Sequence, residues 1–180
     1  MDLFQAIEKR ASIRSFKETI ISEDELKKIL QAGIRAPSGG NVQPWGFIVT
    51  TNPSLKKDLA KAAFNQDFIG SAALTITVCA VEEESGSRYG KRGRTLYCLQ
   101  DTAAAVENML LAATALGYGS CWIGAFDEVA VRNVLKIPEK ARPVAIIPLG
   151  LAKETTTATS RKPLEDVVHY EFYGGHVPSK

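Results

Sequence analysis

Gly117 to Phe126 reads GYGSCWIGAF, and the fold turns on how its first three residues are taken. Gly-Tyr-Gly opens like the glycine fingerprint of a dinucleotide-binding βαβ unit, where a strand enters the turn and a third glycine lets the next helix pack closely. Here Trp122 stands where the third glycine belongs, and the segment follows a helical pattern, Thr95 to Leu116, instead of a strand. Both requirements fail, so the dinucleotide-binding unit is excluded. Gly117 instead reads as the left-handed cap of the long helix, Cys121 to Ala125 as a short strand, and Trp122 as a core residue.

Working outward from this stretch, Thr95 to Leu116 is Ala-rich and apolar on more than one face, which predicts the central buried helix. Pro143 to Leu151 (PVAIIPLGL), Ala73 to Val81 (ALTITVCAV) and Trp45 to Thr51 (WGFIVTT) are strand-like apolar runs. Helices are predicted over Asp2 to Lys9, from the capping box Ser22-Glu23-Asp24-Glu25 to Ile34, after Asn52-Pro53, and from Asp127 to Leu135. Glu82 to Arg94 (EEESGSRYGKRGR) lacks periodicity and reads as a mobile excursion. Thr155 to Ser160 is a polar connector, and the tail Leu164 to Lys180 carries more apolar and aromatic side chains than a solvated terminus needs. By itself this alternation of strands and helices favours a doubly wound sheet.

Composition narrows the function classes. The 180 residues, 45% of them apolar, suit one domain with one substantial core. A formal net charge of +2 points to neither nucleic acid nor a membrane surface. Cys79, Cys98 and Cys121 lack any metal-ligand or redox-pair spacing and read as reduced core thiols. No apolar run approaches the ~20 residues of a membrane span, and a cytoplasmic protein is expected. P-loop, zinc-protease and serine-hydrolase motifs are absent, and both histidines, His169 and His176, sit in the tail. An enzyme with this inventory borrows its chemistry from a cofactor.

Two stretches carry the signature of a ligand. In Arg10 to Phe16 (RASIRSF) an extended backbone puts Arg10, Ser12 and Arg14 on one side, presenting cation, hydroxyl and cation along roughly 13 Å. That length suits an elongated anion. Ala36 to Trp45 (APSGGNVQPW) is too rigid for a linker and too polar for a core; its glycines let a ligand approach the backbone while its prolines limit the empty loop.

Together with GYGSCWIGAF and Ser160 to Glu171 (SRKPLEDVVHYE), these stretches resemble, in order and spacing, the nitroreductase family of FMN-dependent oxidoreductases. The resemblance implies an α+β, three-layer fold: a mixed, largely antiparallel sheet flanked by helices, in an intertwined homodimer with FMN at the interface and residues 164–180 docked on the partner. It implies that Arg10, Ser12 and Arg161 hold the FMN phosphate and that Arg14 lies at the N1 and O2 edge of the flavin. Pro37, Ser38, Gly39 and Asn41 would come from the opposite subunit, with Gly39 replacing the family's commoner second serine. Ile123 and Gly124 would pass the N5 edge, and of Asn65 and Gln66 the favoured amide contact to the pyrimidine ring is Gln66. Arg88, Lys91, Arg92 and Arg94 beside Tyr89 read as a solvated loop in preference to a site for a nicotinamide dinucleotide phosphate or an acidic substrate. The activity implied is hydride transfer from NADH or NADPH to a small nitroaromatic, quinone or enone-like acceptor, the alternative being a non-catalytic flavin-binding or redox-sensing dimer.

Overall fold

A computed structural model describes residues 1–154 and 159–175. Most of the predicted connector, 155–158, and the end of the tail, 176–180, lie outside the described residues. The chain runs α1 (Leu3–Lys9), α2 (Glu23–Ile34), β1 (Trp45–Thr50), α3 (Pro53–Ala62), α4 (Phe68–Ser71), β2 (Leu74–Ala80), α5 (Glu82–Arg92), α6 (Cys98–Ala115), β3 (Gly119–Ser120), α7 (Glu128–Leu135) and β4 (Arg142–Gly150). The strands form one sheet in the order β1-β2-β4-β3, every ladder antiparallel. A doubly wound parallel sheet, which the alternation of elements favours, is therefore not formed. β3 is only two residues long, and Ile123 adds an isolated antiparallel bridge to Ile146.

Both faces of the sheet are covered, giving three layers. Leu74, Ile76 and Val78 of β2 and Ala145, Ile147 and Leu149 of β4 pack with Ile29 of α2 and Val106, Met109 and Leu110 of α6. The opposite parity, Cys79 and Ile146, packs with Leu59 and Ala60 of α3 and Val131 of α7. Burial on both faces explains why β2 and β4 read as continuous apolar runs without alternation. Thr75 and Thr77 of β2 are also buried, their hydroxyls without a partner. All three cysteines are free and buried, as expected, and burial pushes the Cys79 thiol up to about 11.

Local signals are met with three adjustments. Ser22 caps α2 through the Glu25 amide, but the Glu25 carboxylate turns to accept from the Ser22 and Tyr118 hydroxyls, both at 2.8 Å. Those bonds hold the Glu25 carboxyl below its ordinary pKa. The expectation of an aperiodic segment over Glu82 to Arg94 is corrected: this stretch is helix α5, broken at Gly90 (φ 57°), and Gly93–Tyr97 is a π-helical turn leading into α6. Its glycines hid it, because Gly86 and Gly93 serve close packing inside the turn and not flexibility. Trp122, expected in the core, is 41% exposed.

Arg10 to Phe16 does run along the sheet. Ile13 N donates to Ser120 O at 2.9 Å, Ser12 makes a parallel bridge with Ser120, and Phe16 an antiparallel one with Ala152. Ile13 is buried while Arg14 faces out, as alternation requires, but Phe16, of the same parity as Arg14, is buried with Ile13 and Ala72, so the alternation does not run to the end of the stretch. The seam depends on Gly119, where a Cβ would meet the Ile13 side chain at 2.7 Å. Gly119→Ala should cost about 1–3 kcal/mol of overpacking, lowering the melting temperature by roughly 3–10 °C. Ile13→Ala in the same chain should make the alanine less costly than it is in the wild-type background, a coupling that a double-mutant cycle of thermal melts measures.

Candidate functional site

The seam sets the Arg10–Arg14 segment against β3, near the start of GYGSCWIGAF, through the bridge between Ser12 and Ser120. The Cys121 thiol sits beside all three: burial raises its pKa against the pull of Arg14, a hydrogen bond with Ser12 and the charge of Arg10. Among the described residues, neither the Arg10 nor the Arg14 side chain takes part in an ion pair or an intramolecular hydrogen bond. Two guanidiniums and a hydroxyl thus line one strand with no carboxylate to neutralise them. Ile123, buried, fixes the next segment to Ile146, and Gly124 follows it exposed, with open space where a Cβ would stand. The backbone there is open to a ligand.

The amide predicted at Gln66 is differently used. Its NH2 donates to Ala63 O at 2.9 Å and to Ala125 O at 3.0 Å, so it clamps the turn after α3 onto the segment after Gly124. Asn65, exposed in the left-handed region (φ 61°), keeps its side chain outside these bonds. Two adjacent left-handed residues, Phe64 and Asn65, are what the sequence reading missed; Asn is the residue that tolerates this conformation best.

The loop after α2 is held elsewhere on the chain. Gly39 N donates to Asp101 Oδ1 at 3.1 Å, Arg88 Nη1 to Gly40 O at 2.7 Å, and Gln43 N to Ser38 Oγ at 3.0 Å. Gly40 is left-handed (φ 56°), and a Cβ there would run into the Tyr89 hydroxyl and the Arg88 guanidinium, so only glycine fits. Pro37 and Asn41 are exposed; Ser38 and Gly39 are half-buried. No hydrogen bond among the described residues links this loop to Arg10–Arg14. Arg161 also stays local, donating to Thr159 O and Thr159 Oγ1 at 2.7 Å each and to Ser160 O at 3.3 Å. Of the predicted site residues, Ser12 is bridged to Ser120 in the segment that also carries Arg10 and Arg14, Ile123 is bridged to Ile146 with Gly124 next to it in the chain, and the loop and Arg161 are held by other bonds.

Asp101, which no sequence motif marks, is 7% exposed, and its Oδ2 has no partner among the described residues. Burial raises its carboxyl pKa, opposed by the Gly39 amide. With the folded value above the unfolded one, stability falls as pH climbs from the unfolded value through the folded one, and stays lower above it. Asp101→Asn keeps an acceptor for Gly39 and removes the charge. Its melting temperature relative to the wild type should therefore rise from about pH 4 upward and then level off, which thermal melts across a pH series would show. Asp101→Ala frees the Gly39 amide and should cost about 1–3 kcal/mol at low pH, and less from about pH 4 upward, where it also removes the buried charge.

Comparison with known proteins places this geometry. The sequence profile described as the nitroreductase family matches residues 7–66 and 60–151. A protein of Archaeoglobus fulgidus is 37% identical over 149 residues, spanning 81% of this chain and 82% of its own. The crystal structure of a nitroreductase family protein from Clostridium novyi is 38% identical and superposes with a TM-score of 0.79 over 97% of this chain and 96% of that one. An NADPH:FMN oxidoreductase from Vibrio harveyi, complexed with NAD+, superposes with a TM-score of 0.87 at 26% identity, over 95% of this chain and 77% of its own. With a three-layer α+β fold, an uncompensated RASIRSF strand on its sheet edge and the family profile running from residue 7 to 151, the chain belongs to the nitroreductase family.

Proposed function

We propose that the protein is an FMN-dependent oxidoreductase that takes hydride from NADH or NADPH and reduces a small nitroaromatic, quinone or enone-like acceptor. The observation that carries this reading is the cation, hydroxyl, cation run Arg10-Ser12-Arg14, whose guanidiniums make no ion pair among the described residues, together with the open backbone at Gly124. Unpaired guanidiniums fit a phosphate, which they bind through two parallel N–H donors, and the exposed glycine fits the flat ring that FMN carries at its other end. Support also comes from the Vibrio harveyi relative, whose name gives FMN and NADPH.

When bound, FMN supplies the two-electron chemistry, accepting hydride from the nicotinamide and passing reducing equivalents to the acceptor. The chain's own part is to bind and orient. Arg10, Ser12 and Arg161 would hold the phosphate. Arg14 would place a positive charge near the ring, and the Gly124 amide would offer a donor with no side chain of its own in the way. Asn65 replaces Gln66 as the contact to the pyrimidine edge, since the Gln66 NH2 is spent on Ala63 and Ala125.

Pro37, Ser38, Gly39 and Asn41 reach the cofactor from a second copy of the chain. A homodimer accounts for the surface apolar groups that one copy leaves uncovered: Leu3, Phe4 (80% exposed) and Ile7 on α1, and Leu164, Phe172 and Tyr173 (91%) in the tail. No helix among the described residues is long and apolar enough to cross a membrane.

The purified protein should be yellow. Arg10→Ala with Arg161→Ala should lose most of its FMN, each charge-assisted contact being worth about 1.5–3 kcal/mol, and full flavin occupancy in that variant would refute the phosphate assignment. With FMN bound, nicotinamide and acceptor would use one ring face in turn. Initial rates with both substrates varied should give parallel double-reciprocal lines, and Arg14→Ala should slow the reductive half-reaction in stopped flow. A protein that is reduced once and then stalls with every acceptor would instead be a flavin-binding sensor.

A further inference from the structure

The basic half of α5 is not a solvated loop. Its acidic start is spoken for: Glu83 pairs bidentately with Arg94 at 2.8 and 2.9 Å, and Glu82 with Arg142 at 3.6 Å, which also binds Glu128. That leaves Arg88, Lys91 and Arg92, all exposed and none of them ion-paired among the described residues. Two of the three are held against aromatic rings. Arg88 lies over Tyr89, Cζ 5.6 Å from the centroid, and Arg92 over Tyr97 at 5.3 Å, while the two tyrosines meet edge to face at 5.2 Å. Each guanidinium spends one N–H inside the cluster, Arg88 on Gly40 O and Arg92 Nε on Tyr97 Oη at 3.0 Å. The remaining donors point outward from side chains whose rotamers are already restricted.

The cluster is also welded to the loop assigned to the cofactor. Gly39 packs against the Tyr89 and Tyr97 rings, and Arg88 bonds the next carbonyl. Cations at the end of a helix stabilise its dipole, but that effect needs neither the stacking nor three charges. A cationic, aromatic surface adjoining a flavin site suits the part of a hydride donor that lies beyond the nicotinamide: an adenine to stack and a phosphate to pair.

We propose that Arg88, Lys91 and Arg92, framed by Tyr89 and Tyr97, bind the 2′-phosphate of NADPH and make the enzyme prefer NADPH to NADH. This rests on the flavin reading above, because Gly39 and Gly40 are what set the cluster beside the ring. The discrimination is electrostatic: NADH differs by the absence of that phosphate, so its binding leaves the three charges unanswered.

The test uses the flavin-loaded protein. Wild type should show a kcat/KM for NADPH at least about 10-fold above that for NADH, with the NADPH value alone falling steeply with added salt. In Lys91→Gln/Arg92→Gln the NADPH value should fall by about 10-fold or more through KM, with the NADH value and FMN content unchanged within about twofold. Arg92→Lys, which keeps the charge, should recover part of the loss. Preference for NADH, or equal losses with both donors, would overturn the proposal. Titration with adenosine 2′,5′-bisphosphate against AMP reads the cluster without turnover. Selective binding of the bisphosphate, weakened in the double variant, supports the site even in a protein that proves to lack activity. Equal binding of the two nucleotides refutes it whatever the flavin does.

Discussion

The close approach of Ile13 to Gly119 is the contact on which the rest of the site depends. A strand two residues long gives little pairing energy, so β3 and the extended Arg10–Phe16 segment hold each other through the Ile13–Ser120 hydrogen bond and the packing of Ile13 where a side chain on residue 119 would be. The same contact settles which way the segment faces. With Ile13 turned inward beside Ala72, its neighbour Arg14 is exposed and Ser12 half-exposed. One missing Cβ therefore converts a basic stretch into a fixed row of donors.

The charges of the molecule are sorted in a way that follows from this. Carboxylates near the sheet and α5 are matched to Arg94 and Arg142, which tie α5, α7 and the start of β4 together. Among the cations that make no ion pair among the described residues are two groups: Arg10 and Arg14 on the sheet edge, and Arg88, Lys91 and Arg92 at the end of α5. Leaving cations unpaired costs little while they remain in water, and it reserves their donors for an anionic ligand. The buried carboxylate of Asp101 runs against this economy. Its one bond goes to Gly39, so the loop after α2 is anchored on α6 at the cost of an ionisable group held out of water.

These two groups of cations sit on separate parts of one chain, and the loop that adjoins the second group has no bond to the first. In the proposed homodimer a site that needs both would be completed by a second copy, which would also cover the exposed apolar groups of α1 and the tail. Half-sites on rigid anchors, brought together by association, would make cofactor affinity and assembly two views of one equilibrium.

Much of this was legible in the residues themselves. Two-faced burial of β2 and β4, the caps of α2, α3 and α7, and the outward set Arg10, Ser12 and Arg14 follow from periodicity and capping chemistry, which act over a few neighbouring residues. What depends on residues far apart in the chain was not. Sequence alternation alone pointed to a parallel sheet, because pairing direction is decided by which strands meet and not by their composition. The glycines of EEESGSRYGKRGR looked like flexibility until Ser85 and Arg94 were seen packed against them. Gln66 was chosen over Asn65 because both amides look alike until Ala125, 59 residues away, accepts from one of them. Local sequence determined which side chains are available for chemistry; tertiary contacts decided which remain unspent, since a donor is free for a ligand only when no distant carbonyl or carboxylate has already claimed it.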